Sequence, residues 1–341
     1  MRAAGGSLAM HEHGNIASRT GVVVIGRNEG ERLRRCLVSA VRDAPRLVYV
    51  DSGSTDDSVK LARSLGVESI ELDPSTPFSA ARARNEGFGR LRQMDAQLPY
   101  VQFVDGDCEL CTGWITTAAE FLHDHEDTAV VSGRLREKHP RSSIYNTLCD
   151  IDWELLPEGE VKDCGGIAMM RSAAFERAHG FRVDLIAGEE PELCVRLRKQ
   201  GWRIWRLGEE MALHDSEMTR FSQWWTRAQR SGHAYAEGAS LHGAPPERHY
   251  IKQSRSALIW GLGIPLSTLG LVAAIGPLGL LLLAIYPLQL MRLALRGTRS
   301  TGENWLRAAF LIIAKFPEML GQLEYYGRRL LGRQSRLIEY K

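Results

Sequence analysis

Charge is missing from one long stretch of this 341-residue chain: between Arg255 and Arg292 lie 36 residues without an Asp, Glu, Lys or Arg. A spanning helix needs about 20 apolar residues, so the run suits a hairpin of two helical arms, with Gly276-Pro277 near its middle as the turn. Each arm is short, and a re-entrant or half-inserted hairpin fits as well; the soluble alternative is a buried pair of core helices. Metal-binding cysteine spacing is lacking too. Cys108 and Cys111 form one CxxC, but Cys36, Cys149, Cys164 and Cys194 offer no second pair at zinc-ribbon spacing. The six thiols therefore read as buried or idle side chains of a reducing compartment. Residues 1–20 hold no apolar segment of the secretory kind. No DNA- or RNA-binding motif is present, which excludes nucleic acid as the expected partner. An early glycine-rich, basic phosphate loop is also absent, which argues against a nucleotidyltransferase.

What charge there is lies unevenly. The formal net charge is +2, yet residues 250–341 carry 12 Lys/Arg against 4 Asp/Glu, leaving the rest of the chain at −6. A basic, apolar C-terminal part beside an acidic N-terminal part points to a membrane surface. Lys252 and Arg255 precede the uncharged run, and Arg292, Arg296 and Arg299 follow it. Positive charge at both ends predicts that both ends are cytoplasmic. Trp305 to Leu320 is apolar but interrupted by Arg307, Lys315 and Pro317, and reads as one interfacial helix. Arg328, Arg329, Arg333, Arg336 and Lys341 suit anionic lipid head groups.

Ahead of that region, short apolar runs alternate with amphipathic ones. Gly21–Gly26, Leu47–Val50, Val67–Leu72 and Tyr100–Val104 read as strands. Helices are expected over 31–39, 59–65 and 79–94. This alternation with short links predicts a doubly wound sheet, parallel in its first half. The pattern then becomes mixed, with a helix over 114–123 and strands over 129–135 and 165–170. Residues 136–163 read as a long irregular loop serving substrate, and helices are expected over 191–200 and 220–237. Four regions result: residues 1–19 as a flexible tail with His11 and His13 solvated, 20–215 as a catalytic domain, 216–250 as a helical segment on the acceptor side, and 251–341 as the hairpin, interfacial helix and basic tail.

Four polar clusters fall at the expected strand and helix ends. Arg27-Asn28-Glu29 follows the first strand, where Asn28 and Glu29 can contact a base. Asp51-Ser52-Gly53-Ser54-Thr55-Asp56 follows the second; its acid can accept hydrogen bonds from base or ribose, and Gly53 permits a tight turn. Asp105-Gly106-Asp107 ends an apolar strand. Two hard oxygen donors there suit Mg²⁺ or Mn²⁺, at the strand end where open α/β sheets bind ligands, although Asp-Gly is also a common turn pair. Glu189-Glu190-Pro191-Glu192 opens a helix, where the dipole favours carboxylates; ordinary capping is the bland alternative.

Taken together, Val22-Val-Val-Ile-Gly-Arg-Asn-Glu29, Val50-Asp-Ser-Gly-Ser-Thr-Asp56, Ala83-Arg-Asn-Glu-Gly87, Val104-Asp-Gly-Asp107, Gly165-Gly166 and Gly188-Glu-Glu-Pro-Glu-Leu193 resemble the family 2 glycosyltransferases of GT-A fold over roughly residues 20–215. The resemblance implies a nucleoside-diphosphate sugar donor (UDP- or GDP-sugar), a divalent cation (Mn²⁺ or Mg²⁺) and an inverting transfer. By position, Asp51 and Ser52, with Arg84 and Asn85, are implied at the nucleotide. Asp107 and Asp105 are implied at the metal, joined by His214 from the end of the last strand. Glu190 is implied as the general base, with Glu189 as its competitor, because Glu-Glu stands where the family usually has Glu-Asp. The acceptor expected is lipid-linked or a polysaccharide, at the cytoplasmic face of an inner membrane. A polyprenyl-phosphate sugar transferase, whose phosphate acceptor needs no base, is the rival within the class. Trp224 and Trp225 suit sugar stacking, packing or a membrane-interface belt equally.

Overall fold

Val22, Val23 and Val24 are completely buried on both faces of their strand, as the continuous apolar run requires of a central parallel strand. This computed structural model describes residues 18–332. The sequence expectations for His11 and His13 and for Arg333, Arg336 and Lys341 fall outside the described residues. The described chain divides into two units, one made of the residues up to His139, Asp152–Val183 and Glu189–Glu217, the other of Pro140–Ile151, Asp184–Gly188 and Met218 onward.

The first unit is built on β1 (Thr20–Gly26), β2 (Arg46–Asp51), β3 (Glu68–Glu71), β4 (Tyr100–Asp105), β5 (Cys108–Leu110), β6 (Thr128–Glu137), β7 (Gly159–Glu160), β8 (Ala168–Arg171) and β9 (Arg203–His214). Their order across the sheet is β3-β2-β1-β4-β8-β6-β9-β5, with β7 paired to β9. The first four strands are parallel, β8 runs antiparallel to β4, and β5 antiparallel to β9, so the sheet is the mixed α/β one expected. Register sets the site. Gly26 lies beside Asp51 and Ile25 beside Asp105, which brings the polar exits of β1, β2 and β4 to one edge. Cys108 lies beside His214, which brings the end of β9 next to Asp107.

Helices α1 (Glu31–Asp43), α2 (Ser58–Ser64), α3 (Ala80–Met94) and α4 (Trp114–Asp124) return the chain between strands. On α1, Leu33, Cys36, Leu37 and Ala40 form the buried stripe, at the spacing of one helix face. Ser79 caps α3 by accepting from the Arg82 N–H at 3.2 Å. Two expectations are corrected. The strand expected to end at 135 continues to Glu137, and residues 136–163 are not an irregular loop: helix α5 (Ile144–Glu154) lies within them. Leu148 and Ile151 are its buried apolar positions, a short stripe obscured by Asn146 and Asp150, which are buried beside them. The short β5 was also not foreseen. Helices α6 (Ser172–Arg177) and α7 (Glu189–Lys199) complete this unit.

The second unit is mainly helical: α8 (Phe221–His242), α9 (Ile251–Leu258), a π-helical turn at Ile259–Gly263, α10 (Ile264–Ile275), a 3₁₀ stretch at Gly276–Ala284, α11 (Ile285–Leu295), α12 (Thr301–Ile313) and α13 (Lys315–Leu330). Residues Ile251–Leu295 are long and apolar enough to cross a membrane, an 18-residue stretch within them having mean hydropathy 2.3. They do not form one straight rod. The Tyr286 hydroxyl donates to the Trp260 carbonyl at 2.5 Å, whereas 26 residues of continuous α-helix would separate them by about 39 Å. The chain folds back at Gly276, whose φ of 69° is the left-handed region that glycine enters without strain. The single helix expected over 305–320 is two helices meeting at Ala314, and Pro317 falls in the first turn of α13, where no N–H is needed. Helices α8 and α13 pack backbone to backbone: a Cβ on Gly232 would overlap the Glu318 backbone, and one on Gly321 the Gln229 backbone.

Candidate active site

The exit loops of β1 and β2 are tied to each other. The Asn28 N–H donates to Ser54 Oγ at 2.9 Å, and the Thr55 N–H donates to Asn28 Oδ1 at 2.7 Å. Asp51 is buried; its carboxylate accepts from the Gly53 and Ser54 N–H groups at 2.9 and 2.7 Å and from the Tyr49 hydroxyl at 2.8 Å. The Ser52 N–H donates to the Gly26 carbonyl at 3.0 Å. Asn28, Asp51 and Ser52 therefore shape the loop pair before any ligand arrives. Glu29, expected toward a base, turns inward instead: it is buried and paired with Arg32 at 2.8 Å, because a carboxylate in that apolar corner needs a cation beside it. Asn85 is likewise engaged locally, donating to the Phe181 carbonyl at 2.7 Å and accepting from the Phe181 N–H at 2.9 Å. Sequence reasoning missed Phe78, whose ring packs at Gly53 and lies 5.7 Å under the Arg27 guanidinium.

Arg84 is the hinge of the site. It is buried on α3, pairs with Asp105 Oδ1 at 2.7 Å and with Glu189 Oε1 at 2.8 Å, and lies over the Phe181 ring. Burial alone would lower its pKa, but the two acids more than offset that and the net shift is upward. One buried cation thus fixes the end of β4 against the start of α7. Gly166 completes the cradle: a Cβ there would stand 3.0 Å from Arg84 Nη2 and 3.3 Å from Asp105 Oδ2.

Asp107 is buried, and its Oδ2 lies 3.6 Å from His214 Nε2. On the other side of the ring, His214 Nδ1 stands 3.4 Å from Glu137 Oε2, and Trp153 packs edge-on at 4.8 Å between ring centroids. A carboxylate and an imidazole converging, with a second carboxylate holding the far ring nitrogen, is the arrangement of an oriented metal ligand. This donor set fits a divalent ion such as Mn²⁺. Asp105, by contrast, commits one oxygen to Arg84. Glu137 and Trp153 were not legible as site residues, since each lies far from His214 in sequence.

Glu189 and Glu190, adjacent at the start of α7, have opposite surroundings. Glu189 is ion-paired to Arg84. Glu190 is buried and accepts at Oε1 from the Cys164 N–H at 2.8 Å, the Cys164 thiol at 3.1 Å and the Cys194 thiol at 3.5 Å. Burial, and after it the negative charge of Asp163, pushes its pKa up to about 7 despite those donors. The helix N-terminus was expected to hold Glu190 ionised; here desolvation outweighs that favourable dipole. Two of the thiols expected to be buried or idle, Cys164 and Cys194, therefore line the most perturbed carboxylate of the site.

The family model for glycosyl transferase family 2 matches residues 21–178. Among solved structures, the chain is similar to the mannosyltransferase PcManGT from Pyrobaculum calidifontis, in complex with GDP-Man and Mn²⁺: identity is 18%, coverage 92% of this chain and 87% of that one, and the TM-score 0.54. It is also similar to residues 1–349 of S. aureus TarS (14% identity, 92% of each chain, TM-score 0.49). A third likeness is to glucosyl-3-phosphoglycerate synthase from Mycobacterium tuberculosis (16% identity, 72% of this chain and 87% of that one, TM-score 0.49). At 18% identity the mannosyltransferase speaks for the fold alone, and the family match over β1 to α6, joined to the strand-end acids, marks residues 21–178 as a family 2 glycosyltransferase domain of GT-A fold.

Proposed function

We propose that this glycosyltransferase transfers a sugar from a nucleoside-diphosphate sugar with inversion, uses a divalent cation, and acts on a lipid-linked or polysaccharide acceptor at a membrane. The observation that carries the reading is the sorting of the adjacent acids: Glu189 is held in an ion pair with Arg84, whereas Glu190 has no ion-pair partner within 4 Å among the described residues and a pKa raised to about 7. A general base works best with a pKa near the working pH, and a carboxylate already holding a guanidinium is a poorer one.

In this reading the loops at Asn28, Asp51 and Ser52 receive the nucleoside. Arg84 holds Asp105 in place beneath the diphosphate. Asp107 and His214 hold the cation, which when bound neutralises charge on the departing nucleoside diphosphate, consistent with the Mn²⁺ in the mannosyltransferase complex. Glu190 takes the proton of the acceptor hydroxyl, and that oxygen attacks the anomeric carbon on the face opposite the diphosphate, which leaves with the bonding electron pair. The apolar surface of the folded-back C-terminal segment supports the membrane setting. Leu266, Leu269, Ile275, Leu278 and Leu281 are each more than half exposed, and exposed apolar surface of that extent marks an interaction site.

The test is a panel of UDP- and GDP-sugars offered to the purified full-length chain, with and without Mn²⁺. Mn²⁺-dependent donor hydrolysis or binding is expected for one donor class. Release of pyrophosphate in place of a nucleoside diphosphate would contradict sugar transfer.

A further inference from the structure

Cys164 precedes Glu190 by 26 residues and Cys194 by 30, yet converges with both in the first unit. Glu190 and Cys194 are one helical turn apart on α7 and share a face, while Cys164 reaches them from the segment leading into β8. The two sulfurs are 3.7 Å apart. Glu190 Oε1 is 3.1 Å from Cys164 Sγ and 3.5 Å from Cys194 Sγ, and all three ligand atoms lie within 4.8 Å of one another. The thiols are free, and their separation is far from the roughly 2.05 Å of a disulfide.

We infer that these three side chains form a binding site for a thiophilic divalent ion of the Zn²⁺ class, separate from the Asp107–His214 donors. A tetrahedral Zn²⁺ with Zn–S of about 2.3 Å and Zn–O of about 2.0 Å sets an S···S edge of about 3.8 Å and S···O edges of about 3.5 Å. Two of the three observed edges agree. The third, from Glu190 to Cys164, is short where a thiol S–H donates to the carboxylate; binding the metal displaces that proton and lets the edge open. Mn²⁺ and Mg²⁺ prefer oxygen ligands and do not compete well for two sulfurs. Three protein ligands leave the fourth position open to water.

The consequence for activity rests on the reading of Glu190 as the base. A Zn²⁺ ion at this site would hold the Glu190 carboxylate and take away its basicity, so it blocks transfer without displacing donor or Mn²⁺. The site itself does not depend on that reading.

The experiment uses the full-length protein in detergent, kept reduced, freed of metal and then loaded with excess Mn²⁺. Co²⁺ is titrated as the spectroscopic probe and Zn²⁺ as its competitor. The expected result is about one equivalent bound, a near-ultraviolet sulfur-to-cobalt charge-transfer band, and bleaching of that band by Zn²⁺. Cys164→Ala with Cys194→Ala should abolish the band and weaken Zn²⁺ binding by more than about 100-fold, beyond the loss typical of an outer-sphere partner. Cys108→Ser, beside Asp107 and His214, should keep it. If the double variant does not fold, each single Cys→Ser change should shift and weaken the band. No band in the parent protein, or a band that survives both cysteine changes, overturns the site. Zn²⁺ should also inhibit transfer by the parent protein and leave residual activity of the double variant unaffected. Cysteine-dependent binding without inhibition keeps the site and removes Glu190 from the role of base.

Discussion

Arg84 is the residue on which the most electrostatics converges, because it is buried and holds acids from two elements. Removing one member of a buried ion cluster leaves the others unpaired, at a cost of about 3–5 kcal/mol. Arg84→Met should therefore lower unfolding stability by that amount and reduce activity even in the molecules that remain folded; chemical denaturation with a parallel assay checks both. Glu190 makes a pH prediction. Its proton is held more tightly in the folded chain, at about 7, than at the ordinary carboxyl value of 4.5. The folded state therefore binds more protons than the unfolded state between those values, and this group's contribution to stability falls as pH rises through that window and levels off above it. Denaturation midpoints at pH 5 and pH 7.5 should show the decline, and Glu190→Gln should flatten it. Catalysis runs the opposite way, since the base must be ionised: turnover should fall as pH drops below about 7. At this scale the sequence was legible in where a residue lies along its own element: Asp105 at the end of β4, Asp107 just beyond it, and the Glu189-Glu190 pair at the start of α7. It was illegible where partners come from afar, as with Glu137 behind His214 or Cys164 beneath Glu190. The inward turn of Glu29 toward Arg32 was missed because a loop acid reads the same whether it faces ligand or core.

Among elements, the parallel half of the sheet was readable because a strand buried on both faces must be apolar at every position, as Val22–Val24 are. The second half was harder. Helix α5 was missed because its buried face carries Asn146 and Asp150, and β5 because three residues give no period. The Gly232 and Gly321 contact left no periodic signal either, yet it determines how closely α8 and α13 approach. Gly321→Val would force a side chain into the Gln229 backbone, and overpacking of this kind costs typically 1–3 kcal/mol or more. The expected outcome is a lower melting temperature for the helical unit, read by circular dichroism, with Gly327→Val as the control because nothing lies within 4 Å of a Cβ at Gly327.

At the scale of the whole molecule, one chain carries a family 2 sugar-transfer domain and an apolar C-terminal segment long enough to cross a membrane. The turn at Gly276 was legible from Gly-Pro within an uncharged run; the depth to which the arms insert was not, since composition counts apolar residues and not their direction. The full-length chain should co-float with anionic lipid vesicles. Replacing Leu269 and Leu281, both strongly exposed, with Glu should release most of it into the soluble fraction while the fold of residues 20–215 persists. Cysteine labels at positions 252 and 299 should be accessible from the same side of sealed vesicles; labels on opposite sides would rule out a hairpin.

The most direct measurement is the turnover of Glu190→Gln beside its affinity for the nucleotide sugar in the presence of Mn²⁺. The variant keeps the size of the side chain and one acceptor oxygen for the Cys164 and Cys194 donors, and removes its basicity. Loss of base catalysis costs about 10²–10⁴-fold, so kcat should fall by that factor while the donor dissociation constant stays nearly unchanged. A Glu190→Gln enzyme that turns over at the parental rate would contradict the account, and would direct attention to a phosphate acceptor that needs no base.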